Sequence, residues 1–155
     1  MGARESMSAL RSQTRSRDFR GSIEAAKDAE AWVVEECASL GLAARVEFAI
    51  GLCLEELFVN AVMHGRAGKA TISIWTESER AHVEFVDDGD PFDPCCAPVK
   101  RIQGPTDDFD IGGYGAGLLR KFARSMSYRR EGQINRVVLE FDEDMTADPI
   151  TLSAT

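Results

Sequence analysis

Hydrophobic and polar positions fall into blocks whose period changes along the chain. From Ser22 to Leu40, the residues Ile23, Ala26, Ala29, Trp32, Val33, Cys37 and Leu40 recur at helical spacing. Ser22 offers an N-cap hydroxyl and Gly41 a stop. A second helix is predicted from near Ala43 to His64, apolar nearly all the way round and therefore buried. Into it the sequence sets Glu56, Asn60 and His64, four residues apart, which stack into one polar stripe. Glu55, about 100° away around the helix, points elsewhere. A polar stripe on an apolar helix is costly unless paired or used. Gly65 is expected to supply the left-handed residue that ends this helix.

The period then shortens. Arg15–Arg20 reads as a short edge strand, and Ala70–Thr76 and Ala81–Asp87 alternate as an antiparallel hairpin about a polar turn at 77–80. Residues 88–112 form a long loop rich in Gly, Pro and Asp, of a length that is usually functional. Gly115–Arg124 reads as a helix, and Ser127–Glu131 with Arg136–Asp142 as a closing hairpin about Gly132–Asn135. There is no internal repeat. This order predicts an α+β fold, a two-layer sandwich of a mostly antiparallel, mixed sheet with helices on one face. The predicted organisation is a flexible basic arm (1–14), one domain (15–142) and an acidic tail (143–155).

Composition changes this picture little. The 155 residues suit one domain with its own core, at 44% hydrophobic and 28% charged. Five arginines against Glu5 and Asp18 give residues 1–20 a charge of +3, leaving −11 of the −8 total to the rest. An acidic body argues against nucleic-acid binding. No apolar run approaches the ~20 residues of a membrane span, and no secretory pattern opens the chain, so cytoplasm is expected. Cys37 and Cys53 read as small buried hydrophobes, and Cys95-Cys96 lacks the spacing of zinc or redox pairs. Trp32 and Trp75 read as core. His64 reads as a structural residue near its helix end.

Two further segments carry chemistry. In Val86–Pro94 a strand runs into an acidic turn holding Gly89. In Ile111–Leu119 a glycine cluster opens a helix, where backbone can approach a ligand and the helix N-terminus favours an anion such as phosphate. The spacing is not that of a Rossmann fingerprint, and Gly68-Lys69 lacks the rest of a P-loop.

Taken together, Glu56-Leu57-Phe58-Val59-Asn60, Asp87-Asp88-Gly89-Asp90-Pro91-Phe92-Asp93-Pro94 and Gly112-Gly113-Tyr114-Gly115 resemble the three motifs of the Bergerat-fold (GHKL) ATPases. Within that group the chain is similar to the anti-sigma-factor serine/threonine kinases of bacterial partner-switching systems, over roughly residues 19–141. The resemblance implies ATP or ADP and Mg²⁺ as cofactors. It implies that Asn60 holds Mg²⁺ through its amide oxygen, a hard ligand, and that Glu56 is the general base for the attacking hydroxyl. Asp87 would accept from the adenine amino group, with Gly89, Pro91 and Phe92 around the base. Residues 95–111 would be a lid, with Gly112, Gly113, Gly115, Gly117 and Leu118 at the phosphates. Lys100 and Arg101 would either neutralise phosphate charge or form a solvated loop pair. Arg120, Lys121 and Arg124 depart from the acid that relatives carry near the last position, which bears on partner choice.

The function so implied is an anti-sigma factor with ATP-dependent serine/threonine kinase activity, acting on a small anti-sigma-factor antagonist. Its partners would be a sigma factor and that antagonist, and relatives tend to be homodimers. The alternative is a nucleotide-binding regulatory module that controls a partner without phosphorylating it. The catalytic half of a histidine kinase fits less well, because no separate helical phosphoacceptor segment is present.

Overall fold

Alternation in the strands and a 3.6-residue period in the helices assemble two layers around one core. The computed structural model describes residues 11–96 and 115–143. In chain order these give β1 (Arg15–Arg20), α1 (Ile23–Ser39), α2 (Ala44–Met63), β2 (Lys69–Glu77), β3 (Arg80–Asp87), α3 (Gly115–Phe122), β4 (Ser125–Glu131) and β5 (Ile134–Asp142). The sheet runs β1-β2-β3-β5-β4. All four pairings are antiparallel, so no parallel pair occurs among the described residues. The α+β expectation is borne out, with the expected β1 edge strand and β2–β3 hairpin.

Period 2 decides what each strand buries. Ala70, Ile72 and Ile74 of β2, Val83 and Phe85 of β3, and Val137, Leu139 and Phe141 of β5 point to the helical layer. There they join Trp32, Val33 and Cys37 of α1 and Val46, Ile50, Cys53, Leu54, Leu57 and Phe58 of α2 in a single cluster. Phe58 anchors the layers, packing edge-to-face on Phe19 of β1 (6.3 Å) and Phe85 of β3 (5.8 Å), the geometry aromatic quadrupoles prefer. Cys37 and Cys53 are fully buried small hydrophobes as expected, and burial pushes both thiols up to about 12.

The helix ends follow local chemistry. The Ser22 hydroxyl accepts from the Ala25 N–H at 3.2 Å, and Gly41 takes φ +70 after α1. Gly65, however, is not the left-handed residue after α2: that conformation falls on Arg66 (φ 53). A Cβ on Gly65 would lie 2.9 Å from the Ala61 carbonyl oxygen, and its own carbonyl accepts from the Asp90 N–H at 2.8 Å. The glycine is needed for room beside the Ala61 carbonyl at the end of its own helix, not for its φ.

Trp75 also departs from expectation. It is buried, but its register neighbours Ile74 and Thr76 show it on the sheet face away from the helices. There it stacks on His82 (5.3 Å, 7°) beneath the Arg11 guanidinium (4.3 Å). Among the described residues, no helix is long and apolar enough to cross a membrane.

Candidate functional site

The polar stripe predicted on α2 is most buried at its middle residue and open at its C-terminal end. Asn60 is 7% exposed, Glu56 is half-buried and His64 is exposed. One turn apart, the Asn60 Nδ2 donates to Glu56 Oε1 at 3.0 Å. Burial pushes the Glu56 carboxyl above its ordinary range, opposed first by that hydrogen bond. Glu55 adds to the rise and the nearby His64 opposes it. Glu55 itself is exposed, as its helical phase predicts.

Facing this helix is the end of β3. Asp87 is only 7% exposed, and its Oδ1 accepts from the Gly89 N–H (2.8 Å) and from Asn135 Nδ2 (3.1 Å). Burial raises the Asp87 carboxyl; the Asn135 and Gly89 hydrogen bonds and the Arg130 charge oppose it, while Asp88 adds to it. Gly89 has no room for a side chain: a Cβ would sit 2.8 Å from the Gly65 carbonyl oxygen and 2.9 Å from Asp87 Oδ1. Asp88 turns outward and fastens the turn, its Oδ1 accepting from the Gly68 (2.8 Å) and Lys69 (3.0 Å) N–H groups.

Between helix and strand end lies a narrow pocket, partly open to solvent. Its apolar walls include Leu57, Phe85, Phe92 and Val137, and its polar groups include Asn60, Asp87 and Asn135. A few convergent polar groups in an apolar cleft is the usual make-up of a small-molecule site. A second groove, between α1 and α2, is walled mainly by apolar residues such as Val33, Leu54 and Phe58, so it offers space with little chemistry.

The structure thus brings together Asn60, Asp87 and Phe92, with Glu56 adjoining through Asn60. Gly89 shapes the turn from behind, and Pro91 is exposed beside it. Gly115 opens α3, with Gly117 and Leu118 half-buried in its first turn. Arg120 ties that helix to the Cys95 carbonyl at 2.8 Å. Lys100, Arg101, Gly112 and Gly113, and the expected lid beyond Cys96, lie outside the described residues.

Sequence reasoning missed Asn135 and the two β4 residues that hold it, Tyr128 and Arg130. The segment assigned to a turn ends two residues earlier than expected, so Ile134 and Asn135 belong to β5. Asn135 is 3% exposed and is held by Tyr128 (2.7 Å) and Arg130 (3.1 Å) of β4. A signal was present: extending the inward set Val137, Leu139, Phe141 back by two lands on Asn135, a polar side chain at a core position.

A carboxylate at a strand end, a carboxylate–amide pair on the facing buried helix and a glycine-led helix beyond them define an ATPase domain of the Bergerat type. The chain belongs to the histidine kinase-like ATPase domain family, which matches residues 19–141. Over 134 residues it is 25% identical to Serine/threonine-protein kinase BtrW of Bordetella bronchiseptica (strain ATCC BAA-588 / NCTC 13252 / RB50), covering 84% of this chain and 94% of that protein. It also resembles the crystal structure of the RsbU and RsbW domains of Rv1364c from Mycobacterium tuberculosis, with a TM-score of 0.61 and 13% identity. That match covers 84% of this chain and 32% of the other, and at such identity the likeness is one of fold. These findings bear out the resemblance drawn from the three motifs.

Proposed function

We propose that this protein is an ATP-dependent serine/threonine protein kinase that also acts as an anti-sigma factor, phosphorylating a small antagonist protein. The observation that carries the reading is the Glu56–Asn60 pair, hydrogen-bonded at 3.0 Å beside the pocket that Asp87 lines. Support comes from the kinase named among its relatives and from the family's ATPase character.

Each group has a task. Asp87 is the acceptor for a base amino group. Asn60 turns its amide nitrogen to Glu56, which leaves its carbonyl oxygen for a cation. A hard oxygen donor at a phosphate site suits Mg²⁺, which takes few protein ligands and completes its shell with phosphates and waters. Bound there, the ion would neutralise phosphate charge. Glu56 takes the proton from the attacking serine or threonine hydroxyl. Its raised pKa, caused chiefly by burial, makes it a better proton acceptor, and the Asn60 hydrogen bond keeps it oriented and ionised. Residues 112–118 are proposed to approach the phosphates, with Lys100 and Arg101 supplying positive charge.

The test uses labelled ATP, Mg²⁺ and candidate antagonist proteins. Label should pass to a serine or threonine, and Glu56→Gln should lower transfer by about 10²–10⁴, the usual worth of a general base, while nucleotide affinity stays near wild type. Normal transfer by that variant would remove Glu56 from the role. Tight nucleotide binding with no transfer to any partner would favour a regulatory module instead.

A further inference from the structure

Asn135 sits where β5, β4 and the 87–92 turn meet, and the kinase reading leaves it without a task. We propose that Asn135 is the positioning residue that makes this pocket select a 6-amino purine over a 6-oxo purine, by holding Asp87 as a one-sided, ionised acceptor. The inference rests on the nucleotide reading above and deepens it.

The contacts of Asn135 fix its orientation. Its Oδ1 accepts from the Tyr128 hydroxyl (2.7 Å), Arg130 Nη1 (3.1 Å) and the Phe92 N–H (3.4 Å). Its Nδ2 donates to Asp87 Oδ1 (3.1 Å) and the Asp90 carbonyl (2.9 Å), with the Gly89 carbonyl at 3.4 Å. Exchanging oxygen and nitrogen would set an acceptor against acceptors and a donor against donors, so only one orientation of the amide serves. Arg130 Nη1 also donates to the Gly89 carbonyl at 2.8 Å, bracing the same turn.

The consequence falls on Asp87. Among the described residues both of its hydrogen bonds converge on Oδ1, which leaves Oδ2 for a ligand in the pocket that Asp87 lines. An ionised carboxylate only accepts. Facing the 6-position, it pairs with the amino group of adenine and meets the O6 of hypoxanthine or guanine as a second acceptor, so a 6-oxo base must shift in the pocket before its N1–H can reach the carboxylate. A protonated carboxyl donates, and would pair with O6 instead. Selectivity therefore depends on keeping Asp87 ionised although burial favours its neutral form. The groups opposing burial are Asn135 Nδ2, the Gly89 N–H and the Arg130 charge; Asp88 acts with burial, and Asp90 is the other acid lining the pocket. Without Asn135, protonation of Asp87 moves to higher pH.

The experiment is an equilibrium titration of the full chain with ATP and with inosine triphosphate across a pH series. The wild type should prefer ATP by about 10- to 100-fold at neutral pH, the range that one unpaired polar group commands, and the preference should shrink as pH falls. Asn135→Ala should lose about tenfold of that preference and begin its decline at higher pH. An unchanged ratio and pH profile in this variant would overturn the proposal. If Asn135→Ala fails to fold, Tyr128→Phe, which removes one donor to Asn135 and keeps the amide, should reduce the preference several-fold; an unchanged preference there overturns it equally. Wild-type protein that binds ATP and inosine triphosphate alike would sink the selectivity claim alone. Protein that binds neither would sink the nucleotide reading beneath it.

Discussion

Asp87 shows how a site residue can work against its own fold. Its folded pKa is raised above the ordinary 3.8 chiefly by burial, so the native state holds that proton more readily than the unfolded chain. The sign follows from linkage: stability falls as pH rises from the unfolded value through the folded one, and stays lower above it. Replacing Asp87 by Asn keeps an acceptor for the Gly89 N–H and for Asn135 while removing the buried charge. Asp87→Asn should therefore melt at or above the wild-type temperature at neutral pH, with the advantage vanishing in acid. The same variant should bind ATP at least about tenfold more weakly, because it sets a donor against the base amino group. Denaturation curves at two pH values and a nucleotide titration check both halves. Gly89 is the neighbouring case: a methyl would press on the Gly65 carbonyl oxygen at 2.8 Å. Gly89→Ala should cost about 1–3 kcal/mol of stability, the usual toll of overpacking, as read from denaturant midpoints.

The elements were the most legible layer, for physical reasons that differ between helix and hairpin. Both α1 and α2 are long and periodic over several turns, and α1 is also capped by Ser22 and stopped at Gly41, so local chemistry alone marks them. The β2–β3 hairpin was equally clear from alternation, but its turn was read only as polar. Ser78 and Glu79 both take the left-handed conformation there (φ 53 and 60), as a two-residue type I′ connection demands. Neither residue type favours it, at a cost of roughly 1–2 kcal/mol for an L-residue. Ser78→Asn with Glu79→Gly should stabilise the protein by roughly 0.5–1 kcal/mol, the relief of strain less the added flexibility of glycine. Chemical denaturation should show a shifted midpoint with an unchanged slope. The β4–β5 hairpin was placed with its turn too long, and that error hid Asn135.

At the scale of the whole molecule, the pocket belongs to no single element. Leu57, Asn60 and Ala61 come from α2, Phe85 and Asp87 from β3, Phe92 and Pro94 from the turn beyond, and Asn135 and Val137 from β5. A ligand seated among them binds only the folded state and should raise its stability. Mg²⁺–ATP at about a hundred times its dissociation constant should add ~2.7 kcal/mol, or roughly 5–10 °C of melting temperature for a chain of this size. A thermal melt with and without nucleotide measures it, and Asp87→Asn, binding at least about tenfold more weakly, should lose about half of the shift or more at the same concentration. A chelator should lower the wild-type shift if Asn60 holds a cation.

The sequence by itself determined the α+β order of elements, the buried helix carrying Glu56 and Asn60, and the strand-end carboxylate at Asp87. These depend on spacing within one segment, and periodicity reports spacing directly. Only the tertiary structure decided that Gly89 is small because the Gly65 carbonyl crosses there, that Trp75 lies on the sheet's other face, and that Asn135 holds Asp87. Those facts arise where segments far apart in the chain meet. Burial and hydrogen bonding between such segments follow strand register, and one residue of register reverses which face a side chain occupies.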